Sequence, residues 1–319
     1  MLTPPRSRGL RQTLAATSVA VAAMSLSACT SDSGGKVVVG FYPLEFLASS
    51  IGGDVVEIEN LAQPGAEPHD MELTAQQVGA VESASLVIHQ RGLQPAVDDV
   101  LDNQDRDHVL DVATVVDQPE ADAHEGETAE EHAEHAEDET GLDDDGHGHD
   151  GTDPHVWLDP MLMKSMAEAV KDEMAEVDPE NEDVYVKNYD TLAAELDALD
   201  EEFTTGLAQC QRTEFVTTHT AFGYLAEAYG LEQVGILGLS AEEPSPQKLA
   251  EVEKFVTEHG VTTIFFESGV SDDYAATVAD ATGAETAVLT PLETAPQSGD
   301  YISAMQQNLQ ALRSALGCA

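Results

Sequence analysis

Three histidines stand where prolines and strand ends would fix the backbone and leave the rings free to bind something. His69 lies in Pro64-Gly65-Ala66-Glu67-Pro68-His69-Asp70, just past a β-branched run. His155 lies in Asp153-Pro154-His155-Val156-Trp157-Leu158-Asp159-Pro160, directly before a helical pattern. His219 lies in Thr217-Thr218-His219-Thr220-Ala221 at a strand-to-helix junction. Three neutral imidazoles and one carboxylate make a tetrahedral set suited to Zn(II). The three are far apart in sequence, so only the fold can bring them together, and each alone also reads as a hydrogen-bonding histidine. Other histidines carry ordinary readings. His89 ends an apolar strand, His108 begins one, and His259 closes a helix beside Gly260, where a cation complements the helix dipole. Trp157 reads as packing beside His155, or as a shield between a bound ion and solvent.

The elements that must position these residues alternate between strand and helix. Strands are expected at 36–41, 55–61, 85–89 and 108–112, with helices at 44–51, 75–82 (Thr74 as its N-cap) and 94–101. Two helical segments follow, 160–177 and 179–207. The second carries an apolar stripe of Val184, Val186, Leu192, Leu196, Leu199 and Phe203, and is long enough to bridge two lobes. A second alternation places strands at 215–218, 233–237, 262–267 and 286–290, with helices at 221–229, 246–259, 272–282 and 300–316. Such alternation gives an α/β fold with parallel sheets and binding residues at strand ends.

Charge narrows the function. A formal net charge of −48 excludes nucleic acid as a partner, which would need clustered Lys and Arg, and suits a protein that attracts cations. From Asp117 to Asp153 the chain has sixteen acidic residues, no Lys or Arg, and the histidines His124, His132, His135, His147 and His149. With so little to bury, 117–152 is expected to be a disordered loop. It reads either as an acidic spacer or as an auxiliary metal-binding tract.

Arg6, Arg8 and Arg11 precede an uncharged run from Leu14 to Ala28 that ends in Leu26-Ser27-Ala28-Cys29. Small residues before a cysteine at the end of such a run resemble a bacterial lipobox. The expectation is a signal peptide over 1–28, lipidation at Cys29 and a short anchor linker to residue 35, the alternative being an ordinary secretory signal with an incidental cysteine. Cys210 and Cys318 are the other two cysteines. In an oxidising compartment they read as a disulfide; a thiolate metal site is the alternative, which the lack of a C-x-x-C partner disfavours.

PGAEPHDMELT, DPHVWLDP, THTAFGYLAEAYGL, EPSPQKL and the closing PLE with GDYISAMQQNLQALRSAL together resemble the zinc/manganese solute-binding lipoproteins of ABC importers, from about Lys36 to Leu316. The resemblance implies two α/β lobes, each a parallel sheet flanked by helices, joined by a long rigid helix, with the metal in the cleft between them. The expected divisions are an N-terminal lobe over 36–178, a linking helix over 179–208 and a C-terminal lobe over 209–319. His69 and His155 would come from the first lobe and His219 from the second. Manganese members carry a carboxylate where this chain has His219, and a third imidazole favours zinc. The family often places an acidic ligand in the last strand-to-helix segment. Thr290 stands where some members have Asp, which leaves Glu293 as the expected fourth ligand, with Glu267 or water as alternatives. The implied function is capture of Zn(II) outside the cell and delivery to an ABC permease, by a lipid-anchored protein expected to be a monomer. A zinc-buffering surface protein or adhesin is the alternative. A zinc hydrolase fits less well, because no H-E-x-x-H helix or nucleophile motif is present.

Overall fold

The computed structural model describes residues 34–63, 65, 67–116, 153–238, 244–267 and 272–319. The expected lipidation site at Cys29, the signal segment and the histidines of the acidic stretch lie outside the described residues.

Two four-stranded parallel sheets form the frame. The first is built from β1 (Gly34–Val39), β2 (Val56–Asn60), β3 (Leu86–His89) and β4 (Val109–Asp111), in the order β2-β1-β3-β4. The second repeats that order as β6-β5-β7-β8, with β5 at Glu214–Thr217, β6 at Glu232–Gly235, β7 at Thr263–Phe266 and β8 at Glu285–Val288. Their central strands carry continuous apolar runs at 37–39, 86–88, 215–216 and 264–266 because both faces are covered. Val37, Val39, Leu86, Ile88, Phe215 and Phe265 point into one large core shared by both halves. The residues between them point the other way. Val38 and Val87 meet Val81, Val97 and Leu101 on the outer face of the first sheet, and Val216 and Ile264 meet Val252, Val256 and Val278 on that of the second.

The helices supply those covers. In the first half they are α1 (Tyr42–Gly52), α2 (Ala75–Ser83) and α3 (Pro95–Asp102). Thr74 closes a capping box with Gln77 at the start of α2, as its sequence position predicts. Next come α4 (Pro160–Val177) and α5 (Glu182–Leu207). The second half adds α6 (Gly223–Tyr229), α7 (Pro246–His259), α8 (Asp273–Thr282) and α9 (Tyr301–Leu316).

Helix α5 has 26 residues and is therefore about 39 Å long. It packs on α1 and α4 from the first half and on α6 and α9 from the second, so one rod belongs to both lobes. Its buried stripe is Tyr185, Leu192, Leu196, Leu199, Phe203 and Leu207. The sequence expectation of Val186 in this stripe is corrected: that side chain is 41% exposed. Tyr185 keeps the helical phase of Leu192 and Leu196, whereas Val186 falls about 100° to one side. The helix also begins later than expected, after a 3-10 turn at Pro179–Asn181.

At the far end of the second sheet, Cys210 and Cys318 are joined as a disulfide between the C-termini of α5 and α9.

Candidate metal centre

Four segments, each leaving a strand end or entering a helix, meet between the sheets. His69 follows β2 in the loop before α2, and Pro68 beside it is buried. His155 caps a 3-10 turn over Val156–Leu158, whose three side chains are all buried beneath it. His219 follows β5, and Glu293 lies beyond β8. In the second sheet, β5 and β7 are the neighbouring strands whose onward connections run in opposite directions. The crevice at their carboxyl ends is where ligands collect in open parallel sheets.

The distances are those of a metal cage. The Nε2 atoms of His155 and His219 are 3.2 Å apart. Glu293 Oε1 lies 3.1 Å from His155 Nε2, 3.5 Å from His69 Nε2 and 3.9 Å from His219 Nε2. One ligand atom from each of the four lies within 4.8 Å of the others. A tetrahedron with metal–ligand bonds of about 2.0–2.1 Å has edges of about 3.3 Å, which these separations bracket. His69 Nε2 is buried with no hydrogen-bond partner among the described residues, the condition expected of an atom kept for an ion.

The charges are poised around His155. Burial disfavours its imidazolium, but hydrogen bonds to Asp153 and Glu293 outweigh that and raise its pKa to about 9. Glu293 is also buried, which opposes its charge, yet the hydrogen bond from His155 and the nearby His69 and His219 rings hold it well below the usual carboxylate range. His219 moves the other way, lowered to about 3 by burial and by the neighbouring His155 charge. Glu267 is raised to about 8 by burial and then by Glu293 and Glu67. Its carboxylate lies 3.7 Å from His219 Nδ1, on the side of the ring away from the cluster. Glu67, partly desolvated and beside Glu293, is raised to about 7.

The segments that carry His219 and Glu293 are braced. The Thr217 hydroxyl donates to the carbonyl of His219 at 2.6 Å, and the Gln233 side-chain amide donates to the same carbonyl at 3.1 Å. Gln233 also accepts the Phe222 backbone N–H at 2.9 Å, closing the turn into α6. Before Glu293, Leu292 holds φ at 58°, a left-handed conformation that costs a bulky residue about 1–3 kcal/mol. Asn308 on α9 makes that turn hold by donating to the Thr290 carbonyl at 2.7 Å and accepting its N–H at 3.0 Å. Thr290, read from sequence only as a missing ligand, is thus an anchor of the loop. Glu293 also lines a groove of about 510 Å³ along the edge of β2, with Tyr42, Glu45, Asn60 and Thr294.

Of the remaining histidines, His89 is buried 3.3 Å from Asp98, and His259 stacks on Phe255 with ring centroids 4.1 Å apart. Neither joins the cluster. Trp157 is fully buried, its ring centroid 5.2 Å from that of His155. Sequence reading did not single out Asp153, Gln233 or Asn308. Asp153 carried a local signal, since it sits two residues before His155 in a tight Asp-Pro-His turn.

Fold and site together present two parallel-sheet halves with three histidines and a carboxylate gathered in the crevice between them. The chain belongs to the ZnuA family, described as zinc-uptake complex component A, periplasmic, whose profile matches residues 37–315. It is 35% identical over 287 residues to the high-affinity zinc uptake system protein ZnuA of Bacillus subtilis, covering 88% of this chain and 87% of that protein. It is 33% identical over 302 residues to the zinc-binding lipoprotein AdcA of Streptococcus pneumoniae, covering 91% of this chain but spanning only 58% of that longer relative. Among solved structures, the laminin-binding protein Lmb of Streptococcus agalactiae superposes with a TM-score of 0.75 at 31% identity, covering 88% of this chain and 99% of that one. Lmb is described as bifunctional, with adhesin and metal-transporting activity.

Proposed function

We propose that this chain captures Zn(II) outside the cytoplasmic membrane and delivers it to the permease of an ABC-type importer. The observation that carries this reading is the closed set of His69, His155, His219 and Glu293, at separations matching the edges of a zinc tetrahedron. Three imidazole nitrogens and one oxygen make a softer site than manganese prefers. Glu293 takes the fourth position and Glu267 stands behind His219. No coordination position is then left for substrate, which favours carriage over catalysis and argues against the hydrolase alternative. The relatives named for zinc uptake and zinc binding support the same cargo.

On this reading, residues 36–178 and 209–319 are the two lobes and 179–208 the link between them. The chain is held as a monomer at the outer face of the membrane through a lipid on Cys29. The stretch over 117–152 binds further zinc weakly. The similarity to Lmb gives the adhesin reading some support, as a second role on the outer surface. The test is calorimetric titration of the protein with zinc. One tight site is expected, abolished by His69→Ala, His155→Ala or His219→Ala; a His219→Ala protein that binds as the parent does refutes the assignment.

A further inference from the structure

We propose that Asp153 is a positioning residue for the metal site, and that Gly223 on the opposite lobe provides the space it needs. The inference rests on the functional reading above and deepens it. Asp153 Oδ1 accepts the Nδ1–H of His155 at 2.7 Å and the His155 backbone N–H at 2.9 Å. With its carboxylate oxygen as the acceptor, this bond keeps a proton on Nδ1 and leaves Nε2 as the nitrogen facing the cluster. The consequence is large because His155 is the central ligand. Its Nε2 lies 3.2 Å from His219 Nε2 and 3.1 Å from Glu293 Oε1, and its side chain is wholly shielded from solvent.

Asp153 is itself held by the second lobe. The Tyr224 hydroxyl on α6 donates to the Asp153 carbonyl at 3.1 Å. A Cβ added to Gly223, the first residue of α6, would lie 2.7 Å from Asp153 Oδ2, closer than such atoms approach. The absence of a side chain there is what lets the carboxylate sit against the helix. His155 on one lobe is therefore oriented by a carboxylate wedged against the start of the helix that follows His219. Two ligands from opposite lobes share one brace.

Two substitutions separate this role from a structural one. Asp153→Asn removes the obligate acceptor. Gly223→Ala keeps the carboxylate but pushes it aside, while alanine favours the helix itself. Each is expected to weaken zinc binding about 10–100-fold, the range for partners that orient a ligand. In the parent, the His155 Nδ1–H resonance, read by ¹⁵N–¹H correlation with and without zinc, is expected far downfield; in both variants it shifts upfield or exchanges away. Gly223→Ala with normal thermal stability but weakened zinc binding and a displaced resonance supports the proposal. Either variant, folded, with parental affinity and an unmoved resonance overturns it. A parent with no tight zinc site would overturn the functional reading instead, and the resonance of the zinc-free protein would still decide the role of Asp153.

Discussion

The indole Nε1–H of Trp157 donates to the carbonyl of Pro291 at 2.7 Å, joining positions 134 apart in the chain. The carbonyl of Trp157 in turn accepts the Tyr301 hydroxyl at 2.6 Å. The segment that carries His155 is thereby tied to the segment that carries Glu293.

Trp157→Phe tests that tie. The ring would still meet Phe41, now 4.9 Å away centroid to centroid, but Pro291 would lose its buried donor. An orphaned buried acceptor costs about 1–3 kcal/mol, which denaturant unfolding would register. Zinc affinity is expected to fall about tenfold, as for other groups that orient a ligand. A variant that loses stability and keeps full affinity would show that the tie holds the core and not the site.

Glu293→Gln and Glu267→Gln, titrated side by side, separate ligand from neighbour. Glu293 faces three Nε2 atoms, whereas Glu267 lies 3.7 Å from the other nitrogen of His219. Glu267→Gln is expected to cost about tenfold or less, and Glu293→Gln more than the roughly 10–100-fold of an orienting partner. The reverse order would exchange their roles.

Zinc must displace a proton. His155, raised to about 9, carries one on Nε2 through the neutral range, while His219, lowered to about 3, and Glu293, held low, have none to give. Protonation favours the metal-free state, so affinity falls as pH falls, by about tenfold per unit below about pH 9 from this group alone. Calorimetry at pH 7.5 in two buffers of different ionisation enthalpy should register release of at least one proton. No release at that pH would contradict the charge distribution described here.

The Cys210–Cys318 bridge closes a loop of 108 positions at the end of β5 opposite His219. Replacing both cysteines by serine is expected to cost about 2–4 kcal/mol of stability. Zinc affinity should not change. Parental stability in the double variant, or a shifted affinity, would count against a purely structural bridge.

Much of this was legible in the chain, for physical reasons. The apolar runs of β1, β3, β5 and β7 announce strands covered on both faces, and Pro-His and Thr-His turns at element ends announce candidate ligands. The braces were silent. Gln233 serves His219 from 14 positions away and Asn308 serves Thr290 from 18 positions away, and polar residues within a strand or helix carry no local mark of such partners. Asp153 had a local signal in its Asp-Pro-His turn, but composition obscured it as the last acid of a run of acids. The misplacement of Val186 in the α5 stripe has the same origin. Two valines flanking Tyr185 look more apolar than it does, while its hydroxyl is satisfied by Asp178 at 2.8 Å and its ring is buried.

Anomalous diffraction at the zinc edge, from crystals of the stoichiometric zinc complex, tests the central claim most directly. The account predicts one strong peak, about 2.0–2.2 Å from a ring nitrogen of each of His69, His155 and His219 and from an oxygen of Glu293. A peak held by Glu267 in place of Glu293, or lacking any of the three histidines, would contradict it.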